Sequence, residues 1–193
     1  DVTDSKGYDG TLYQYGVVDY DEETMNFPLY RYIGDNPREL SSIPFTDVSD
    51  TAWYYEAVSY AYANKLFNGT SATTFSPDTQ MTRAMLVTVL YSMEGNPAVS
   101  GSLSFQDVAS NAWYRNAVLW ATQKGIVSGY SASEFGSDDI VTREQMALIL
   151  YGYAKNKGYD VSAQGSVSGF SDVKSISDWA LDSVEWAVGE QLL

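Results

Sequence analysis

The chain has 193 residues, enough for one domain with an appendage, and with 45% hydrophobic residues it has the means to bury a sizeable core. Eleven basic residues against 25 acidic ones leave a formal charge of −14, a balance that repels phosphate backbones and argues against nucleic-acid partners. Without cysteine or histidine there is no disulfide, thiolate nucleophile or imidazole base, and no apolar run of about 18 residues is present to insert into a membrane.

Asp1 is not an initiator methionine, and the chain reads as a processed or excised piece of something longer. Residues 1–43 form a segment of their own. Residues 11–20 alternate loosely and are rich in tyrosine and valine, as strands are. Asp19, Asp21, Glu22 and Glu23 offer the oxygen ligands a calcium ion wants, against the plainer reading of a solvated acidic turn. Turn signals follow at NFP (26–28) and DNPR (35–38), with a short helix start at residues 36–40. The segment reads as the tail of a preceding domain or as a cap, mostly non-helical.

From Phe45 onward the sequence repeats itself. Phe45, Asp47, Val48, Trp53, Ala57, Val58, Gly69, Phe75, Thr82 and Arg83 return as Phe105, Asp107, Val108, Trp113, Ala117, Val118, Gly129, Phe135, Thr142 and Arg143, every pair 60 apart (105 − 45, 143 − 83). A third copy opens at Phe170, Asp172 and Val173 and runs through Trp179 and Val184 to Leu193, which aligns with Phe67 and Val127. Self-similarity at a fixed period outranks local propensity. The units are 44–100, 101–161 and 162–193, the last being a half-repeat.

In repeat one, Asp50 or Thr51 is placed to cap a helix running to about Leu66, with Trp53, Ala57, Val58 and Ala61 as one apolar stripe. Gly69 suits a left-handed turn, and a second helix starts at Thr82. Leu86, Val87, Val89, Leu90 and Tyr91 make that helix apolar nearly all round, so it is buried on several sides. Repeat two predicts helices near 111–125 and 142–157, the second opening with a T-x-x-Q capping box, Thr142 to Gln145; repeat one keeps half of that box, having Met85. A Ser/Gly-rich linker (161–169) leads to a last helix at about 177–190, whose stripe Val184, Ala187 and Val188 lacks a partner from its own repeat. By register, the rest of repeat three would be a segment of about 25 residues, judged from Phe67 to Tyr91. Its place is expected to be filled by further sequence or another chain, or else the chain self-associates.

Arg83 and Arg143 sit just inside helix N-termini, facing the positive end of the dipole. One reading is an anion site, in which the guanidinium fork and free N-terminal amides meet a carboxylate. The other pairs each arginine with Asp47, Asp107 or Asp172 of a neighbouring repeat. Trp53, Trp113 and Trp179 open a helix stripe and read most simply as core, although each offers a flat face to a sugar ring. Trp120 and Trp186 read as packing residues outside the repeat pattern. The F-x-D-V aspartates are expected to accept backbone amides in a turn. No residue set supports catalysis, and no cofactor or metal is implied.

The pattern F-x-D-V … W-Y/A-x-x-A-V … G-I-x-x-G-Y … F … T-R-E/A resembles the S-layer homology repeat. That resemblance implies a mainly α fold, helix–loop–helix units associating into a pseudo-threefold bundle. It implies a secreted, non-catalytic anchor at the cell wall of Gram-positive-type envelopes. The partner it implies is secondary cell-wall polysaccharide, often bearing ketal-linked pyruvate. The family's ligand groove maps here onto Arg83 and Arg143, onto Trp53, Trp113 and Trp179, and onto the loop residues Gly69, Gly129 and Tyr130. Departures are the missing tyrosine after Gly69, the missing glutamate of T-R-A-E in repeat one (Met85 stands there), and the missing loop and arginine helix of repeat three. The alternative is a protein-interaction or assembly module, self-associating or meeting a host protein, derived from such an anchor.

Overall fold

The computed structural model describes residues 42–193, and the tentative strand, calcium-site and turn assignments before them lie outside the described residues. Five α-helices follow one another: α1 (Tyr55–Ala63), α2 (Arg83–Met93), α3 (Arg115–Gln123), α4 (Arg143–Lys157) and α5 (Leu181–Gly189). A short 3-10 turn at Val173–Ser175 precedes the last, and the described residues form no strand beyond a single antiparallel bridge between Thr82 and Ile140. The mainly α repeat architecture is as expected.

The first helix of each repeat begins later than the capping rule suggests. Tyr54, Tyr114 and Ala180 stand at the N-caps and none makes a side-chain cap bond. Turns come first instead: the Ala52 amide donates to Ser49 and the Tyr55 amide to Ala52, with the same pair at Ala112 and Arg115. The long helices start where read. Thr82 accepts from the Met85 amide, while Thr142 and Gln145 form the full reciprocal box.

Helix pairing runs across repeats and not within them. Contacts join α2 to α3 and α4 to α5, with a smaller contact between α2 and α4. Each long helix therefore receives the first helix of the next repeat. The stripe of α5, without a partner from its own repeat, finds one in repeat two: Val184 and Ala187 are buried, and α5 lies on α4. Among the described helices it is α1 that packs against no other helix. Its Ala57 is exposed where Ala117 is buried, and Phe45, Val48 and Val58 make a small cluster of their own.

The main core gathers Leu86, Val87, Leu90 and Tyr91 of α2 with Val118, Trp120 and Ala121 of α3 and Ile149 and Tyr153 of α4. Trp120 rests on Tyr91 at 5.6 Å, and Trp186 on Tyr151 at 5.4 Å. These packing tryptophans are thus equivalent after all, 66 apart like Trp113 and Trp179 (186 − 120, 179 − 113), and the idea that they stand outside the pattern is corrected. At the far end of α2, Glu94 accepts from the Tyr153 hydroxyl at 2.6 Å and pairs with Lys157 at 3.0 Å, tying repeats one and two.

Candidate anion-binding groove

The loop of each complete repeat is tied down by its F-x-D-V aspartate, as read from the sequence. Asp107 accepts from the amides of Phe135 at 2.9 Å and Gly136 at 2.7 Å, and Asp47 from Phe75 at 2.8 Å and Ser76 at 2.7 Å. At Asp47 the Phe75 amide leads in holding the carboxyl below its usual range. At Asp107 burial is the largest influence and works upward, but the amide bonds together outweigh it and the carboxyl is lowered too.

Arg83 of repeat one reaches into the loop of repeat two. Its Nε donates to the Phe135 carbonyl at 3.1 Å and its Nη2 to the Ser128 carbonyl at 3.0 Å. The guanidinium lies 4.5 Å from the Tyr130 ring centre and 5.1 Å from that of Phe135, and the residue is only 5% exposed. Burial lowers its pKa, opposed by the negative charge of Asp139 and Asp107. Neither earlier reading foresaw this arrangement. No aspartate pairs with Arg83, because the oxygens of Asp107 already serve amides; backbone carbonyls take that place. Nor are the α2 N-terminal amides free, since Arg83 and Ala84 donate to the carbonyls of Asp139 and Ser137.

Above Arg83 the loop and α4 enclose an open groove of about 1280 Å³. Its lining includes Ser128, Gly129 and Tyr130 of the loop, Gln145, Leu148, Tyr151, Lys155 and Asn156 of α4, Lys124 at the end of α3, and Trp179 of repeat three. The Gln145 amide nitrogen donates to the Tyr130 hydroxyl at 3.3 Å, so the residue that closes the capping box also holds the ring over Arg83. Asn156 donates to the Lys124 carbonyl at 2.8 Å, fixing that loop to α4. Arg83, Lys124 and Lys155 line the groove, and none of the described acidic residues does. In so acidic a chain the surface here is locally cationic.

The tryptophans of the repeat are not core. Trp53 is 83% exposed, Trp113 65% and Trp179 55%, against the simpler expectation. The helices start after these residues, so the side chains stand on the preceding turn and not on the buried stripe. Arg143 is exposed at the start of α4 and makes no hydrogen bond or ion pair with the described residues. The loop that would cradle it by register is the third-repeat counterpart of residues 128–135, and the 193 residues do not include it. Glu144 instead accepts from the amide of Ser177 at 2.9 Å and its hydroxyl at 3.2 Å, joining repeat two to repeat three.

Of the residues singled out from sequence, Arg83, Gly129, Tyr130 and Trp179 come together in this groove, while Trp53, Trp113, Gly69 and Arg143 are not among its lining. Lys124, Lys155, Gln145 and Gly152 were missed. A repeat-to-repeat difference signals the lysines, because Asn64 and Gly95 hold those places in repeat one (124 − 60, 155 − 60). A glycine inside an apolar helix signals the last. A Cβ on Gly152 would lie 2.5 Å from the Ile126 carbonyl oxygen, so only glycine lets that segment sit against α4. Among the described residues no helix is long and apolar enough to cross a membrane, and no acidic cluster could hold a metal.

The sequence profile of the S-layer homology domain matches residues 44–84, 104–147 and 169–193. The chain is 33% identical over 161 residues to an endoglucanase of Bacillus sp. (strain KSM-635), covering 82% of this chain and 17% of that protein. It is 28% identical over 138 residues to the surface-layer 125 kDa protein of Lysinibacillus sphaericus (72% of this chain, 11% of the relative). Against the cellulosome-anchoring protein of Acetivibrio thermocellus it is 29% identical over 152 residues (75% and 32%). It thus spans at most about a third of the length of any of these relatives. With three profile matches falling on the three sequence repeats, the chain belongs to the S-layer homology domain family and is a module of cell-surface anchoring.

Proposed function

We propose that the groove of repeat two binds an anionic secondary cell-wall polysaccharide, pyruvylated for choice, and so fixes its parent protein to the wall. The observation that carries this reading is the lining itself: three cations, no described carboxylate, and an exposed tryptophan at the edge, in a chain of net charge −14. A ketal-linked pyruvate brings one carboxylate per substituted sugar, which suits ammonium groups at the rim. Trp179 supplies an apolar face for the ring that bears it. One repeat earlier, Trp113 and Gly69 hold the places of Trp179 and Gly129, and we propose that they mark a second, weaker site, with Asn64 and Gly95 where Lys124 and Lys155 stand. Trp53 and Arg143 would contribute to a third wherever a complete third repeat exists. In a longer parent protein the module tethers whatever is fused to it, an enzyme among the options that the endoglucanase relative suggests.

The test is retention of the chain by purified pyruvylated wall polysaccharide. Trp179→Ala is expected to lower affinity roughly tenfold, about 1.4 kcal/mol for loss of the stacking face. Unchanged retention after that substitution, with the fold intact by circular dichroism, removes the groove from the binding surface.

A further inference from the structure

We infer that Arg83 is a positioning residue of this groove, and that Lys124 and Lys155 are the groups that read the ligand's negative charge. The inference rests on the glycan reading above and divides its labour between residues. Arg83 spends Nε and Nη2 on the carbonyls of Phe135 and Ser128, at either end of the loop that forms one wall. Tyr130 lies over it and Phe135 beside it, leaving 5% of the residue exposed. A ligand carboxylate would have to displace the tyrosine, which Gln145 holds by its hydroxyl, before meeting the guanidinium. What Arg83 does control is the loop. Two donors of one rigid fork hold two carbonyls seven residues apart (135 − 128), and a point charge on a flexible stem cannot copy that.

The lysines are placed the other way. Both are exposed, and neither forms an ion pair among the described residues, unlike Lys157, which Glu94 holds. Lys155 projects from the last turns of α4 with its ammonium 5.2 Å from the Tyr151 ring centre, and the Lys124 backbone is anchored by Asn156. They line one groove from two elements, the end of α3 and the last turns of α4, with no described carboxylate among the lining and only the more distant charge of Glu94 acting on Lys124. Repeat one, whose loop frame is the same, has neither lysine, so the charge is not a requirement of the fold.

The test compares two glycans, pyruvylated wall polysaccharide and the same material stripped of its ketal pyruvate by mild acid, over a series of salt concentrations. Lys124→Gln/Lys155→Gln is expected to lose tenfold or more on the pyruvylated glycan, to change little on the stripped one, and to flatten the salt dependence. Arg83→Lys keeps the charge and loses the fork. It is expected to weaken both glycans by the same factor, to leave the salt dependence intact, and to speed amide hydrogen exchange over residues 128–136. A loss in Arg83→Lys confined to the pyruvylated glycan, or an Arg83→Lys chain that binds like the wild type, overturns the positioning role. A lysine pair whose replacement leaves binding unchanged overturns the charge-reading role. Since both lysines are exposed, that arm stands even where Arg83→Lys compromises folding. A wild-type chain that holds neither glycan overturns the glycan reading itself, and this assignment with it.

Discussion

In repeat one the Thr46 amide donates to Thr73 at 2.9 Å and Asp47 holds the amides of Phe75 and Ser76; in repeat two Gln106 donates to Ser133 at 2.7 Å and Asp107 holds Phe135 and Gly136. The two loops are the same object, made by the same turn chemistry 60 residues apart. Their side chains part company at the groove. Repeat two has Tyr130, Lys124, Lys155 and Gly152 where repeat one has Thr70, Asn64, Gly95 and Ser92. Repeat two also receives Arg83 from its neighbour, while no described arginine reaches the loop of repeat one. Backbone frame and binding chemistry are therefore set by separate residues. A repeat can keep its fold on an aspartate, a few glycines and two aromatic rings, and lose its charged site by changing two lysines.

The largest expected effect on this comparison comes from Gly152. An added methyl would press on a backbone oxygen, which cannot swing aside as a side chain could. Overpacking of this kind costs about 1–3 kcal/mol, against which alanine returns about 1 kcal/mol of helix propensity. Gly152→Ala is expected to destabilise the domain by up to about 2 kcal/mol on balance. Ser92→Ala, at the matching place in α2, should stay within about 0.5 kcal/mol. Urea melts of the two variants check the pair. Equal midpoints would mean that the loop of repeat two approaches its helix no more closely than that of repeat one does.

Next comes Asp107. Replacement by asparagine keeps one acceptor and loses the charge that two amides share. The loss is expected at about 1–2 kcal/mol, the low end for charge-assisted bonds because the group is open to water. Since the folded carboxyl titrates below its ordinary value of about 3.9, its contribution is complete above that value and disappears as pH falls through the lowered one. Wild type and Asp107→Asn should thus differ most at neutral pH and converge in strong acid. Thermal melts from pH 7 to pH 2 follow this. A gap that widens on acidification would reverse the sign and refute the assignment.

Much of this was legible in the residues. The 60-residue period fixed the repeat boundaries, the T-x-x-Q spacing located α4, and the recurring aspartates announced a turn role. The site was legible only in part, for a physical reason. Periodicity reports which side chains share a helix face, and it therefore placed Trp53, Trp113 and Trp179 in the core; their helices begin after them. Sequence shows Arg83 beside a helix start, but its partners are carbonyls 45 and 52 residues away (128 − 83, 135 − 83), and a carbonyl has no signature in the sequence. The same holds for helix pairing. Adjacent helices of one repeat look like natural partners, yet α3 and α5 each go to the long helix of the repeat before them.

The smallest effect tests whether even the shared frame is equally relaxed in the repeats. All three first helices end alike: the amides of Leu66, Ile126 and Leu192 donate to the carbonyls of Ala61, Ala121 and Ala187. That closure puts the preceding residue in the left-handed region, with φ of 58° at Lys65, 68° at Gly125 and 58° at Gln191. Repeat two meets the demand with glycine, which pays no Cβ penalty, whereas Lys65 and Gln191 carry a strain on the order of 1 kcal/mol. Lys65→Gly is accordingly expected to stabilise the chain by about 0.5 kcal/mol at most once glycine's larger unfolded-state entropy is set against the relieved strain. Gly125→Lys should cost a similar amount, and denaturant midpoints measure both. A destabilised Lys65→Gly would show that the lysine stem covers apolar surface worth more than the strain, and that repeat one is held together at this end by packing where repeat two relies on backbone geometry.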